Sequence, residues 1–287
     1  MGRFKIGVIS DSFRLPPRDG VRKAKEVGAD GIQIYAVAGE ICPEVMDRST
    51  RADFRRYCAG LGLEIAALCG DLGGHGFERA DDNVAKIERS KRIVDLAVDL
   101  GAAVVTTHIG VVPANRAHPR YAIMQAACRE LGDYARKAGV TFAIETGPET
   151  AAVLKTFLDD VGSPGIGVNL DPANFVMVTG QDPVEAVHIL KDYIVHTHAK
   201  DGIRLKPSDP EQVYGAFAEG GVAGLTAADI AQLFQETPLG HGDVPWDAYL
   251  NALSAIGYAG FLTIEREVGD TPEQDIRDAV QFLRAKA

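Results

Sequence analysis

Residues 193–201 read Tyr193-Ile194-Val195-His196-Thr197-His198-Ala199-Lys200-Asp201. The apolar, β-branched start predicts a buried strand. The end carries His196, His198, Lys200 and Asp201, so the chain leaves a core there and enters a site. Three other runs end in the same way. Thr141-Phe142-Ala143-Ile144 ends in Glu145, Ile166-Gly167-Val168-Asn169-Leu170 in Asp171, and Phe261-Leu262-Thr263-Ile264 in Glu265. Glu145, Asp171, His198 and Glu265 form a mostly oxygen donor set with one imidazole. Such a set suits Mn²⁺ or Mg²⁺, and Co²⁺, Fe²⁺ or Zn²⁺ are compatible with it. An ion with two open positions can take the carbonyl and adjacent hydroxyl oxygens of a hydroxy-ketone. It then polarises the carbonyl and steadies the enediolate that forms when the α-proton leaves. A carboxylate bound through one oxygen can still use the other as a base.

Side chains at the ends of four different strands converge only if the strands run parallel, and a (β/α)8 TIM barrel arranges them so. A weak internal repeat supports that fold. Helix-like segments reach Gly28, Gly101, Gly139 and Gly257, and a short strand follows almost at once. A glycine just past the last helical turn closes the helix without a Cβ clash. Strands are expected near 4–10, 31–36, 63–69, 102–109, 140–145, 165–170, 193–198 and 260–265. Helices are expected near 18–28, 49–60, 82–100, 117–138, 149–161, 182–191, 245–256 and 272–285. Ser49 and Asp81 suit helix starts, and Pro245 and Pro272 suit first turns. Residues 1–287 are read as one barrel domain. Its spacing breaks between strands seven and eight. Pro207, Pro210, Gly220, Gly221, Gly224 and Pro238 there predict a long loop, about 202–239, over the strand C-ends, with a short helix at 227–235.

The length of 287 residues fits one such barrel. A net charge of −10 argues against nucleic acid as a partner. No apolar run is long enough to span a membrane, so no membrane partner is expected. The start, Met1-Gly2-Arg3-Phe4-Lys5-Ile6, runs into a strand and is not expected to be a signal peptide. Cys42, Cys58, Cys69 and Cys128 lack C-x-x-C spacing and read as small buried hydrophobes in a reducing cytoplasm. Dinucleotide, P-loop, serine-elbow and H-E-x-x-H motifs are absent. A single acid after a strand is commonly a helix cap or a solvated charge, but four donors in order on strands five to eight are harder to explain so. His108 faces the same rim as a candidate substrate contact, and Asn174, Lys200 and Arg204 could each hold a substrate oxygen. His75 is a weaker candidate of the same kind. His196 is expected to point toward the barrel wall and make a structural hydrogen bond, and His241 to sit in a turn anchored by Trp246.

The chain resembles the xylose-isomerase-like TIM barrels, the sugar isomerase/epimerase group that includes D-tagatose 3-epimerases and hydroxypyruvate isomerases. The marks are Ile144-Glu145, Leu170-Asp171-Pro172-Ala173-Asn174, His196-Thr197-His198-Ala199-Lys200-Asp201, Gly240-His241-Gly242-Asp243-Val244-Pro245-Trp246 and Ile264-Glu265. The resemblance implies one divalent metal, Mn²⁺ by preference, on Glu145, Asp171, His198 and Glu265. It implies that Glu145 and Glu265 are also the acid/base pair and that Arg204 touches substrate. The substrate it implies is a keto-sugar or related polyhydroxy carbonyl compound. The sequence departs from the ketose epimerases twice: Asn174 stands where they carry histidine, and Ala151 where they carry glutamate, with Glu149 nearby but out of register. Relatives on this barrel also dehydrate inosose or eliminate from oxidised glycosides, so a lyase is the second reading. An endonuclease IV-like DNA-repair nuclease is a remote third. A cytoplasmic location is expected, and the sequence leaves room for a homo-oligomer.

Overall fold

Short β-branched runs alternate with amphipathic segments along most of the chain, and around the barrel they become its strands and helices. In the computed structural model, residues 4–219 and 225–286 are described. The strands are β1 (Lys5–Ile9), β2 (Gly31–Tyr35), β3 (Glu64–Cys69), β4 (Val104–Thr107), β5 (Thr141–Glu145), β6 (Ile166–Leu170) and β7 (Ile194–Ala199). An inserted pair follows, β8 (Asp201–Arg204) and β9 (Phe234–Thr237), before β10 (Phe261–Ile264). All but the inserted pair close into a barrel in the order β1-β10-β7-β6-β5-β4-β3-β2. Each neighbouring pair in the barrel is parallel. The fold is a (β/α)8 barrel.

The helices are α1 (Pro17–Val27), α2 (Arg48–Gly60), α3 (Ala80–Leu100), α4 (Pro119–Ala138), α5 (Ala151–Val161) and α6 (Pro172–Asn174). Then come α7 (Pro183–Leu190), α8 (Pro210–Ala218), α9 (Ala227–Ile230), α10 (Trp246–Ala255) and α11 (Pro272–Lys286). The repeat glycines Gly28, Gly101, Gly139 and Gly257 all take positive φ, which lets each helix turn straight into the next strand. Phe54, Ile93, Phe142 and Phe157 are fully buried in the layer between barrel and helices. The cysteines are free and buried, as expected. Two helix starts differ from expectation. Asp47, not Ser49, caps α2, because its carboxylate reaches the Thr50 N–H at 2.8 Å and also accepts from the Ser49 hydroxyl. Helix α3 begins at Ala80 with no side-chain cap, and Asp81 sits in its first turn.

The segment between β7 and β10 is more ordered than a loop. Strands β8 and β9 pair antiparallel, Asp201 opposite Thr237 and Arg204 opposite Phe234. The predicted helix at 227–235 stops at Ile230, and its last residues belong to β9 instead. The backbone groups of 234–237 find their partners across the hairpin, on β8, rather than within a helix. Gly220, Gly221 and Gly224 lie outside the described residues. Asp201 anchors the hairpin. Its Oδ1 accepts from the Gly202 and Val244 N–H groups, and its Oδ2 from the Gly240 N–H and the Trp246 indole. Gly242 passes so close to this carboxylate that a Cβ would collide with it. The turn holds Trp246 buried and leaves His241 exposed.

Candidate active site

Side chains two residues apart on a strand share a face. In this barrel that rule stacks two inward layers. The upper layer, at the C-terminal rim, holds Glu145 (end of β5), Asp171 (just after β6), His198 (β7) and Glu265 (just after β10). One donor atom from each lies within 4.8 Å of every other. His198 Nδ1 is 3.3 Å from Glu145 Oε1, 3.4 Å from Glu265 Oε2 and 3.7 Å from Asp171 Oδ2. All four side chains are buried, Asp171 completely.

Three carboxylates around one imidazole nitrogen, out of water, need a cation. Two atoms show where it belongs. Asp171 Oδ2 and His198 Nδ1 are buried and have no hydrogen-bond partner. An orphaned buried polar atom costs about 1–3 kcal/mol. The other oxygen of Asp171 is fully used, accepting the N–H groups of Ala173 and Asn174. So one oxygen of Asp171 serves as the helix cap, and the other is left free to face the cluster. An ion with bonds of about 2.1 Å needs donors on the order of 3–4 Å apart. The four donors therefore fit a divalent ion in spacing, type and charge. Burial opposes a charge on His198, but Glu145 and Glu265 outweigh it and hold its pKa well above the ordinary value. A cation at Nδ1, proton or metal, is what the surrounding carboxylates favour. Burial likewise opposes ionisation of Glu265, but Lys200 and His198 keep its carboxyl below the usual range.

The lower layer orients the upper one. Gln33, fully buried on β2, donates through Nε2 to Thr106 Oγ1 at 3.2 Å. Its Oε1 thereby faces His196 Nε2 at 3.0 Å and His198 Nε2 at 3.3 Å. An acceptor at Nε2 puts the imidazole proton there and leaves the Nδ1 lone pair for the cluster. Asn169 flanks the same ring, with Nδ2 3.1 Å from His198 Nε2. His196 does not turn to the wall as expected. It shares the inward face with His198, ring centroids 6.1 Å apart, one layer deeper. Its structural hydrogen bonds are real, to Gln33 and to Thr263 Oγ1 at 3.0 Å. Burial, then the neighbouring His198, pushes its pKa down to about 3, so it is neutral.

A cavity of about 820 Å³ opens above Glu145 and Glu265, and His108, Asn174 and Lys200 line it. Lys200 Nζ donates to Glu265 Oε2 at 3.0 Å and also binds Glu267. Asn174 Nδ2 donates to the Thr146 carbonyl at 3.1 Å and lies 3.5 Å from Glu145 Oε1. His108 Nδ1 meets Asp71 Oδ2 at 3.1 Å, and its Nε2 points at Glu145 Oε1 from 3.8 Å. Burial lowers the His108 pKa, but Glu145 and Asp71 prevail and raise it to about 10. His75 also lines the cavity, near Glu78 and Glu219. Arg204 does not join them. It lies against Gly180 and lines a separate depression with Asp182 and Asp243. Glu149 is not among the lining residues either. It is buried at 6 % exposure, and burial pushes its pKa up to about 8 against a bond from the Val112 N–H.

Gln33, Asn169, Asp71 and Tyr214 complete the site and were not foreseen from sequence. Gln33 and Asn169 carried a weak signal, each a lone amide inside an apolar strand. Among the described residues, this is the one group of three or more metal-type side chains found, and it holds a single histidine. A histidine-rich site for several ions, which the nuclease reading needs, has no counterpart in it. No described helix is long and apolar enough to cross a membrane.

A family profile described as xylose isomerase-like TIM barrel matches residues 21–286. A search of curated proteins returned no significant match. Among solved structures, a xylose isomerase domain protein from Planctomyces limnophilus is similar at 26 % identity and a TM-score of 0.78, covering 98 % of this chain and 96 % of that one. The probable 3-DHS dehydratase AsbF of petrobactin synthesis, from Bacillus anthracis, is similar at 18 % identity and a TM-score of 0.75, covering 98 % and 99 %. An L-ribulose 3-epimerase is similar at 19 % identity and a TM-score of 0.74, covering 99 % and 94 %. At such low identity the last two establish the fold alone.

Proposed function

The chain belongs to the xylose isomerase-like TIM barrel family, and from that premise we propose a divalent-metal-dependent isomerase or epimerase of a keto-sugar or related polyhydroxy carbonyl compound. One observation carries the reading. Glu145, Asp171, His198 and Glu265 meet with two buried donor atoms unpaired, beneath a cavity large enough for a small molecule. Residues Glu145, Asp171, His198 and Glu265 would hold the ion, Mn²⁺ or Mg²⁺ by donor type. When bound, a divalent ion supplies polarisation of the substrate carbonyl and offsets the charge left by deprotonation.

The rest falls to the chain. Glu145 and Glu265 stand on opposite sides of His198, each with a carboxylate at the cavity. One takes the proton from the carbon next to the carbonyl. The other, entering the step protonated, delivers its own proton to the opposite face, which inverts that centre. Lys200, ion-paired to Glu265, presents an ammonium to the developing enediolate oxygen. His108, kept protonated by Asp71, can donate to a substrate oxygen beside Glu145. Asn174 offers an amide at the same wall. Arg204 is left out, because it opens onto another depression.

A lyase is the second reading, and the His108–Asp71 pair favours it. A glutamate would remove the α-proton, the electron pair would form a C=C bond, the β C–O bond would break, and His108 would protonate the departing oxygen. The dehydratase among similar structures is consistent with that route. Reaction in D₂O separates the readings. Deuterium at the α-carbon of recovered or epimerised substrate supports the first. Deuterium with an unsaturated product moves the assignment to the second. No exchange with any hydroxy-ketone, in protein shown to carry its ion, overturns both.

A further inference from the structure

The chain leaves β5 at Glu145 and continues through Thr146 to Gly147. Gly147 is not in the left-handed region, so its backbone would accept other residues. A side chain from the insertion between β7 and β10 is what requires glycine there. A Cβ at this position would collide with the hydroxyl oxygen of Tyr214 and stand 3.2 Å from the ring carbon that bears it. The Cβ of Asn174 borders the same spot. Tyr214 belongs to α8, and charge ties α8 to the barrel. One turn before Tyr214, Glu211 takes both terminal nitrogens of Arg120, and Arg120 also pairs with Glu78 at 3.2 Å. The Tyr214 ring lines the cavity, 5.9 Å from the His108 ring, centroid to centroid. Burial, then the Glu145 carboxylate, holds its pKa well above the ordinary phenol value, so the hydroxyl keeps its proton. Among the described residues that hydroxyl has no hydrogen-bond partner. A donor fixed in place without an acceptor is costly unless the occupant of the cavity supplies one.

We infer that Tyr214 is a substrate-binding residue, its O–H donating to a substrate oxygen beside Glu145, so that the insertion completes the site rather than only covering it. This role deepens the reading given under Proposed function and rests on it for what occupies the cavity.

Tyr214→Phe keeps the ring and removes the donor, whereas Gly147→Ala displaces the donor with a methyl group. α-Deuteration of D-fructose, D-tagatose and L-ribulose in D₂O by the Mn²⁺-loaded full chain, followed by NMR over a range of sugar concentrations, gives kcat and KM for the sugar that exchanges fastest. Each variant, shown folded by circular dichroism, should raise KM by about 3–10-fold, the scale of one hydrogen bond, and leave kcat within about threefold. The Tyr214→Phe/Gly147→Ala chain should lose no more than either variant alone, because both changes remove one contact. A second readout needs neither metal nor substrate. In urea unfolding of the metal-free protein, Gly147→Ala should lower the folding constant at least about fivefold in the parent chain, the scale of an overpacked contact, and less than about threefold in the Tyr214→Phe background. An unchanged KM in folded Tyr214→Phe, or losses that multiply in the double variant, overturns the inference. So does an equal cost of Gly147→Ala in both backgrounds, which would remove Tyr214 from its seat. Exchange by the parent chain with unchanged KM in the variants keeps the enolate chemistry and removes Tyr214 from it. No exchange by the parent chain with any of these sugars, in protein shown to carry its ion, counts against both.

Discussion

Gln33→Leu should weaken metal binding without touching a ligand. Gln33 is fully buried, and its Oε1 is the acceptor that faces His198 Nε2 at 3.3 Å. Leucine keeps the bulk and removes that acceptor. His196 retains Thr263 Oγ1 at 3.0 Å, so His198 bears the loss. Asn169 Nδ2, 3.1 Å from the same nitrogen, can then donate to it. That donation favours the tautomer with its proton on Nδ1, which blocks the lone pair the ion needs. Loss of such an orienting partner typically costs about 10–100-fold in metal affinity, or about 1.4–2.8 kcal/mol. The loss of one buried hydrogen-bond partner should also lower folding stability by about 1–3 kcal/mol. Gln33→Glu keeps an acceptor at Nε2 and should retain most of the affinity. Calorimetric titration with Mn²⁺ gives the first quantity and urea denaturation of the metal-free protein the second. A folded Gln33→Leu protein with the parent Mn²⁺ affinity would refute the tautomer argument.

The other predictions follow from the same contacts. His198→Ala should strip most bound metal, read by elemental analysis, and two or three ions in the parent chain would defeat the single-site assignment. Glu145→Gln and Glu265→Gln each keep the shape and lose the base, so turnover should drop by about 10²–10⁴. Glu149 has its pKa raised to about 8 from an ordinary 4.5, so its stabilising protonated form persists in the fold after the unfolded chain has ionised. Stability from this group is therefore complete below pH 4.5 and is lost as pH rises through 8. Glu149→Gln should accordingly raise the melting temperature at pH 8 and leave it nearly unchanged at pH 4, and equal effects at both would count against this. Asp201→Ala strips three backbone N–H groups, at Gly202, Gly240 and Val244, and the Trp246 indole, of a buried acceptor. It should cost about 3 kcal/mol or more in a urea titration, and a loss below about 1 kcal/mol would remove Asp201 as the hairpin's anchor.

Much of this protein was legible because its logic is local. Hydrophobic period and helix-closing glycines are properties of adjacent residues, so the strands and helices of the barrel could be read within a few positions. The metal-type cluster was legible for a related reason. Parallel strands in a closed barrel end on one rim, so the residue ending each strand is placed by topology alone. What failed depended on contacts between distant residues. Strand β9 pairs with β8 across some thirty residues, Arg204 opposite Phe234, and nothing in the local pattern of 227–235 distinguishes that strand from the end of a helix. The pairing also directs Arg204, whose place in the sequence suggested substrate, against Gly180. Inside the barrel, Gln33 and His198 are 165 residues apart and meet only because β2 and β7, with β1 and β10 between them, both turn these side chains toward the axis. The sequence could supply the metal-type side chains, since each stands at the end of its own strand. Only the closed barrel could decide which nitrogen of His198 faces the carboxylates, because that depends on an amide from a strand distant in sequence.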